Sequence, residues 1–421
     1  MPEPNPLHLF EAFGIEAEYM IVRQDNLNVA PEAEKLLQLG DQIQNEVSYG
    51  SVNWSNELAS HVIEIKTNGP RANLEGLDQD FSDSLAKMKE ILKPHGLTLM
   101  GTAMHPWMKP AEEYVLWPHE NHEIYNLYDS IFHCKGHGWS NLQSIHINLP
   151  FGDESEFVQL HSAIRLILPL IPAIAGSSPI FESKLSSYMD SRMIFYSENQ
   201  KKIPEITGLV IPEHINSIHE YFENILNPMY QAIRKFDPES ILQEEWLNSR
   251  GAIARFERNA IEIRVTDIQE NPKADLGIIK SVIWQVRRLI ESGLWKESEN
   301  FSSGELREIL DQGIKQGSKA IVSNTRYTKL FESTEARNSE ENSKSSSLEK
   351  EIKALDLFTM YGKNPATNPD QYKIWREKGN LGERIRNRLG EFGPGEPIPR
   401  ERLFPVYQEI HDCLSGGKYF L

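Results

Sequence analysis

Four short stretches of this chain alternate apolar and polar residues, and the polar places are held mostly by glutamate. In FERNAIEIRVTD, Phe256 to Asp267, Ile261, Ile263 and Val265 fall on one side and Glu262, Arg264 and Thr266 on the other. Side chains alternate faces along a strand, so this stretch predicts a strand with one greasy face. GIEAEY repeats the design with Glu16 and Glu18 opposite Ile15 and Ala17. ASHVIEIKT sets Glu64 between Ile63 and Ile65, and QSIHINLP alternates His146 and Asn148 with Ile145 and Ile147. Glu57 precedes Glu64 by seven residues. Strands of this kind belong to an antiparallel sheet with one face on a core.

A solvent-facing sheet surface produces such alternation by itself, so any one of these glutamates carries little. Ordinary exposed faces mix Thr, Lys and Arg with Glu, whereas carboxylates dominate here. Like charges on neighbouring strands destabilise a sheet unless something positive lies between them. Divalent cations and an arginine are the candidates, and an oxygen-rich set with one imidazole suits Mg²⁺ or Mn²⁺ better than zinc. His119, His122, His133, Cys134 and His137 form a second candidate cluster. Their spacing fits no standard structural zinc pattern; aromatic-lined loop packing or a mobile lid accounts for them better.

Composition narrows the classes. Sixty-one acidic against 44 basic residues give a net charge of −17 and no segregated basic patch, which argues against nucleic acid as a partner. The two cysteines, Cys134 and Cys413, make no disulfide framework and suit a reducing compartment. The start of the chain lacks a basic-then-apolar leader, so the expected location is cytoplasmic. No stretch approaches the ~20 apolar residues of a membrane span; the longest, IRLILPLIPAIAG from Ile164 to Gly176, carries two prolines. There is no Gly-x-Ser-x-Gly elbow, phosphate-binding Gly-Lys loop or Gly-x-Gly-x-x-Gly helix entry, so any ATP binds by other means.

Helical periodicity marks NLEGLDQDFSDSLAKMKEILKPHG, EHINSIHEYFENILNPMYQAIRKF and KADLGIIKSVIWQVRRLIESGLW. PEAEKLLQLGDQI is expected to be a polar helix, and the apolar run from Glu154 a helix kinked at Pro169 and Pro172. The catalytic candidates all precede residue 270. The chain therefore divides into a catalytic part, 1–300, and a helical extension, 301–421, with a flexible Ser/Glu-rich segment at about 331–351. The helix GIIKSVIWQVRRLI is compatible with a homo-oligomer contact and equally with burial inside the domain.

In their order, GIEAEY, NELASHVIEIKT, GTAMHP, SIHINLP, GSSPIFES and RNAIEIRVTD resemble the glutamate–cysteine ligase family, in particular its bacterial type 2 branch of carboxylate–amine ligases. The resemblance spans roughly residues 10–290, most of the chain. It implies an α+β fold like the catalytic domain of glutamine synthetase: a curved, mostly antiparallel sheet forming an open funnel, with helices packed outside. It implies ATP and Mg²⁺ (or Mn²⁺), with Glu16, Glu18, Glu57, Glu64, His146 and Glu262 as metal ligands. Glu262 and Arg264 take the catalytic places, and Arg192 and Arg264 the substrate- and phosphate-binding ones. The partners are then small-molecule amino acids and ATP, with no membrane, and the reaction passes through an acyl phosphate. Ala17 between Glu16 and Glu18 departs from the branch, whose first motif often runs acidic residues together. A same-fold ligase for another amino acid or amine, and a nucleotide or metal sensor without turnover, remain alternatives. With Glu64 and Glu262 in a solvent-filled funnel, Gln at either is expected to abolish turnover and spare folding.

Overall fold

Strand β1, Gly14–Arg23, is the spine of the molecule, because both of its edges are paired. On one edge lies β4, Val62–Thr67, followed outward by β3, Val52–Asn56, and β2, Glu46–Tyr49. On the other edge two strands lie end to end. β6, Ile145–Pro150, pairs with residues 14–17 of β1, and β5, Leu97–Met100, pairs with residues 20–23. Beyond β6 the hairpin of β7, Ala252–Arg255, and β8, Ala260–Ile263, completes an open eight-stranded sheet in which every neighbouring pair is antiparallel. This computed structural model describes residues 6–332, 352–360 and 362–421.

The alternation read from the sequence is what builds the sheet. Ile15, Ala17, Ile63, Ile65, Ile145, Ile147, Ile261 and Ile263 are all buried on one face, each large side chain contributing about 1.5–3 kcal/mol. Helices cover that face. α1, Leu77–Leu92, stops at a Lys93–His95 turn and a left-handed Gly96, as its Pro-His-Gly ending predicts. α3, Glu154–Ile167, packs on α5, Pro272–Glu291, which packs in turn on α1. (α4, Ser191–Glu198, borders the site described below through Arg192 and Tyr196, and α2, His122–Phe132, lies beside it, Tyr125 accepting from Asn56 Nδ2 at 3.2 Å.) α6, Ser303–Gln316, α7, Leu381–Leu389, and α8, Arg400–Gly416, add their apolar faces to the same core.

Several expectations change. PEAEKLLQLGDQI forms a single helical turn, Glu34–Leu37, and then a small hairpin of Gln38–Leu39 with Gln42–Ile43. Gly40 reverses the chain there with φ of 63°, which a two-residue hairpin needs and a helix forbids. The run from Glu154 continues through a tight turn at Leu168–Leu170, where Pro169 sits, and a short helix to Ala175. Its 22 residues, mean hydropathy 1.6, are long and apolar enough for a bilayer, but 89% of the window is buried inside the protein. It is a core helix. The helix GIIKSVIWQVRRLI, part of α5, is likewise largely buried within the chain. From residue 333 to 351 the Ser/Glu-rich segment lies outside the described residues.

Candidate active site

Directly opposed residues in an antiparallel pair share a face, so the register shows which polar side chains meet. Glu16 stands opposite His146 on β6 and opposite Lys66 on β4. Glu18 stands opposite Glu64, and Glu64 opposite Ser55. Asn148 lies between Gly14 and Glu262. The polar faces of the four motifs are thus assembled into one surface across β3, β4, β1, β6 and β8.

Glu16, His146 and Glu262 converge, each offering a ligand atom within 4.8 Å of the others. His146 Nδ1 lies 3.5 Å from Glu16 Oε2 and 3.5 Å from Glu262 Oε1. Two carboxylate oxygens and one imidazole nitrogen at this spacing suit a hard divalent cation. Among the described residues this is the one such group, and the histidine–cysteine cluster forms none. His119 bonds Glu34 at 2.7 Å, His137 lies against Asn141 and Glu182, and Cys134 is a buried free thiol. Tyr128, Phe132 and Trp139 pack together there with Trp246, so the segment is aromatic packing beside the site.

Glu18, Glu57 and Glu64 form a second acidic group next to the first. Burial, then the charge of Glu16, raises Glu64 to about 7, although Lys66 and a 2.6 Å bond from Ser55 oppose the shift. Burial together with Glu64, Glu18 and Glu16 pushes Glu57 well above the ordinary carboxylate range. Glu18 is held by the backbone N–H of Ser144 at 2.7 Å and by its hydroxyl at 2.9 Å.

Glu262 is different in kind. It is only 1% exposed, and burial alone would raise its carboxyl. Arg264, His146 and Arg255 outweigh burial and hold it at about 2. Arg264 Nε donates to Oε1 at 2.6 Å and Arg255 Nη1 to Oε2 at 3.0 Å. The expectation of a solvent-filled setting for Glu64 and Glu262 is therefore corrected: both side chains are buried, at 7% and 1% exposure. Arg192, at the start of α4, is buried and ion-paired with Asp267, and its Nη2 reaches the carbonyl of Arg264 at 3.2 Å.

Two cavities flank this surface. One of about 330 Å³ is lined by Phe13, Glu16, Lys66, Pro70, Asn148 and Arg258. The other, about 150 Å³, is lined by Glu18, Glu57, Trp139, Arg192, Tyr196 and Arg264. Of the seven residues singled out in the sequence, Glu16 lines the first cavity and Glu18, Glu57, His146 and Arg264 line the second, together with Arg192; Glu64 and Glu262 lie on the same sheet face but line neither. Residues missed there include Ser144, whose place two before His146 put it on the same face, and Ser55. Arg255 was not readable, because its approach to Glu262 depends on the β7–β8 hairpin.

A family model described as glutamate-cysteine ligase family 2 matches residues 12–383. An uncharacterized protein of Archaeoglobus fulgidus is 33% identical over 409 residues, covering 97% of this chain and 100% of its own. A Ruegeria pomeroyi protein provisionally named glutamate–cysteine ligase 2 is 28% identical over 181 residues, 42% of this chain and 43% of its own. Among solved structures, the glutamate–cysteine ligase of Francisella tularensis in complex with AMP superposes with a TM-score of 0.61 at 12% identity, over 98% of this chain and 90% of that one. A bifunctional glutathione synthetase from Pasteurella multocida gives 0.50 at 11% identity, over 96% of this chain and 52% of that one. At these identities the superpositions show a shared fold.

Proposed function

The chain belongs to glutamate-cysteine ligase family 2, and from that premise we propose that it is an ATP- and Mg²⁺-dependent carboxylate–amine ligase. The observation that carries the reading is the convergence of Glu16, His146 and Glu262 on the wall between two cavities. Glu18, Glu57 and Glu64 would supply further carboxylate oxygens beside them. A bound Mg²⁺ neutralises phosphate oxygens during transfer.

The larger cavity is read as the nucleotide site, with the side chains of Lys66 and Arg258 near the phosphates and Phe13 and Pro70 offering apolar surface. The smaller is read as the amino-acid site. There Arg192 and Arg264 present guanidinium groups, whose fork matches carboxylate and phosphate oxygens and keeps its charge. In the first step a substrate carboxylate oxygen attacks the γ-phosphorus of ATP, the bond to the β-phosphate oxygen breaks, and ADP leaves. In the second a neutral amine attacks the acyl carbon, phosphate departs with the C–O electron pair, and the amine gives up a proton. Arg264 stabilises the charge that gathers on the transferring oxygens. The open sheet is read as the wall of a funnel, with residues 1–300 carrying the chemistry and the described helices after residue 300 covering the core face. Two free, buried thiols fit a cytoplasmic setting.

The test is phosphate release from ATP and Mg²⁺ with glutamate, with and without cysteine, read together with product mass. Release that requires both amino acids, with a γ-glutamyl product, establishes the ligase and its substrates. Release with a different acid or amine reassigns the substrates. Nucleotide binding with no release across an acid and amine panel replaces the ligase by a sensor.

A further inference from the structure

Each of the three converging ligands has two polar atoms, and in each the atom facing away is held by a partner. His146 Nε2 lies 2.8 Å from Ser144 Oγ. Glu16 Oε1 accepts from Asn148 Nδ2 at 3.2 Å, and Glu262 Oε2 accepts from Arg255 Nη1 at 3.0 Å. The atoms facing inward are His146 Nδ1, Glu16 Oε2 and Glu262 Oε1, the last of which also accepts from Arg264 Nε at 2.6 Å.

The serine contact also fixes a proton. A hydroxyl has one hydrogen to donate. Ser144 Oγ lies 2.9 Å from Glu18 Oε2, a carboxylate oxygen that can only accept, so its hydrogen goes there. The lone pairs of Ser144 Oγ then face His146 Nε2, which must carry the ring hydrogen. In the neutral imidazole this leaves the Nδ1 lone pair toward the two glutamates. Asn148 works on Glu16 in a parallel way. The strands approach closely at this residue: a Cβ at Gly14 would lie 3.1 Å from Asn148 Cβ. Any larger residue at position 14 would push the asparagine by a few tenths of an ångström.

We propose that Ser144 and Asn148, two residues to either side of His146 on β6, are positioning residues for the cation site. Ser144 passes the orientation of Glu18 to His146 and selects Nδ1 as its ligand atom; Asn148 pins Glu16 so that Oε2 faces the ion. The proposal rests on the metal reading given above, but it concerns residues outside the predicted ligand set. Outer partners of metal ligands typically contribute ~10–100-fold in affinity. Both substitutions below are neutral for neutral, so they leave the charge of the site unchanged.

The experiment is Mn²⁺ binding by calorimetry, with pulsed EPR of the bound ion to detect the histidine nitrogen. Wild type is compared with Ser144→Ala and Asn148→Ala. Both variants should bind Mn²⁺ about 10–100-fold more weakly, and Ser144→Ala should also lose or reduce the nitrogen coupling. Ser144→Thr, which keeps the hydroxyl, should retain wild-type affinity, whereas the equally shaped Ser144→Val should not. That pair separates the hydroxyl from packing, and thermal unfolding in EDTA checks that each variant folds. Affinities within twofold of wild type in both alanine variants, with the nitrogen coupling intact, overturn the proposal. If wild type binds no Mn²⁺, the metal reading itself falls. In that event ¹⁵N shifts of neutral His146 still decide the orientation: an Nδ1–H tautomer overturns the Ser144 argument, and an Nε2–H tautomer upholds it without the metal.

Discussion

Glu262 and Glu64 respond in opposite ways to the same chemical change, because one is surrounded by cations and the other by anions. Replacing Glu262 by Gln leaves Arg264 and Arg255 without their shared carboxylate, and breaking a buried pair of this kind costs about 3–5 kcal/mol. Glu262→Gln should therefore lower the urea midpoint as well as abolish turnover. Glu64→Gln mimics the protonated acid, the form that burial and Glu16 favour up to about pH 7. At pH 8 in EDTA it should raise the melting temperature; a fall would show that Glu64 is held ionised by groups such as Lys66. The pH dependence has a definite sign. A carboxyl raised from 4.5 to about 7 binds more protons in the folded state across that window, so its contribution to stability is present at acid pH and is lost as pH rises toward 7. A cation needs the ionised form, so Mg²⁺ binding at pH 6.5 should release protons, and apparent affinity should rise with pH. Calorimetry in buffers of different ionisation enthalpy measures that release.

At the scale of elements, the junction between β8 and α5 carries unusual weight. Asn271 caps α5, its side-chain oxygen accepting from Ala274 N–H at 3.0 Å, and its amide donates to the carbonyl of Lys418 at 2.7 Å. One residue therefore starts the central helix and anchors the end of the chain. Loss of a helix cap alone costs ~1 kcal/mol, and the second bond adds to it. Asn271→Ala should lower stability by about 1–2 kcal/mol in urea unfolding; Asn271→Asp, which keeps the cap and removes the donor, should recover part of the loss. The helix itself was legible, since KADLGIIKSVIWQVRRLIESGLW carries apolar residues at helical spacing. Its contact with residue 418 was not, because nothing local links positions 147 residues apart.

Across the whole molecule, a buried ion pair ties α7 to the segment that leads into α5. Arg384 on α7 meets Glu270, just before α5, and also donates to the carbonyl of Phe420. Both side chains are almost wholly buried, at 3% and 0% exposure. Arg384→Met should destabilise the protein by about 3–5 kcal/mol through the uncompensated carboxylate, whereas the double change with Glu270→Leu should recover most of it. An additive double mutant in urea would show that the two groups do not act as a pair.

The sequence by itself determined which residues face which way. A period of two in GIEAEY, HVIEIKT, SIHINL and AIEIRV sorts apolar from polar side chains before any strand finds its neighbour. That rule set Glu16 and Glu18, Glu64, His146 and Glu262 each on the polar side of its own strand, and it needed only covalent geometry. Tertiary structure alone decided the rest. The register across five strands chose Glu16, His146 and Glu262 as the group that converges, and left Glu18, Glu57 and Glu64 as a second acidic group beside it. The hairpin brought Arg255 to Glu262, and a turn at Gly40 ended a helix that periodicity had extended. Burial raises both neighbouring carboxyls, and the charges folded around them then gave opposite characters, about 2 for Glu262 beside Arg264, His146 and Arg255 and about 7 for Glu64 beside Glu16, because charge in a low-dielectric interior is governed by the few groups within reach. Those groups come from distant parts of the chain, and only folding brings them together.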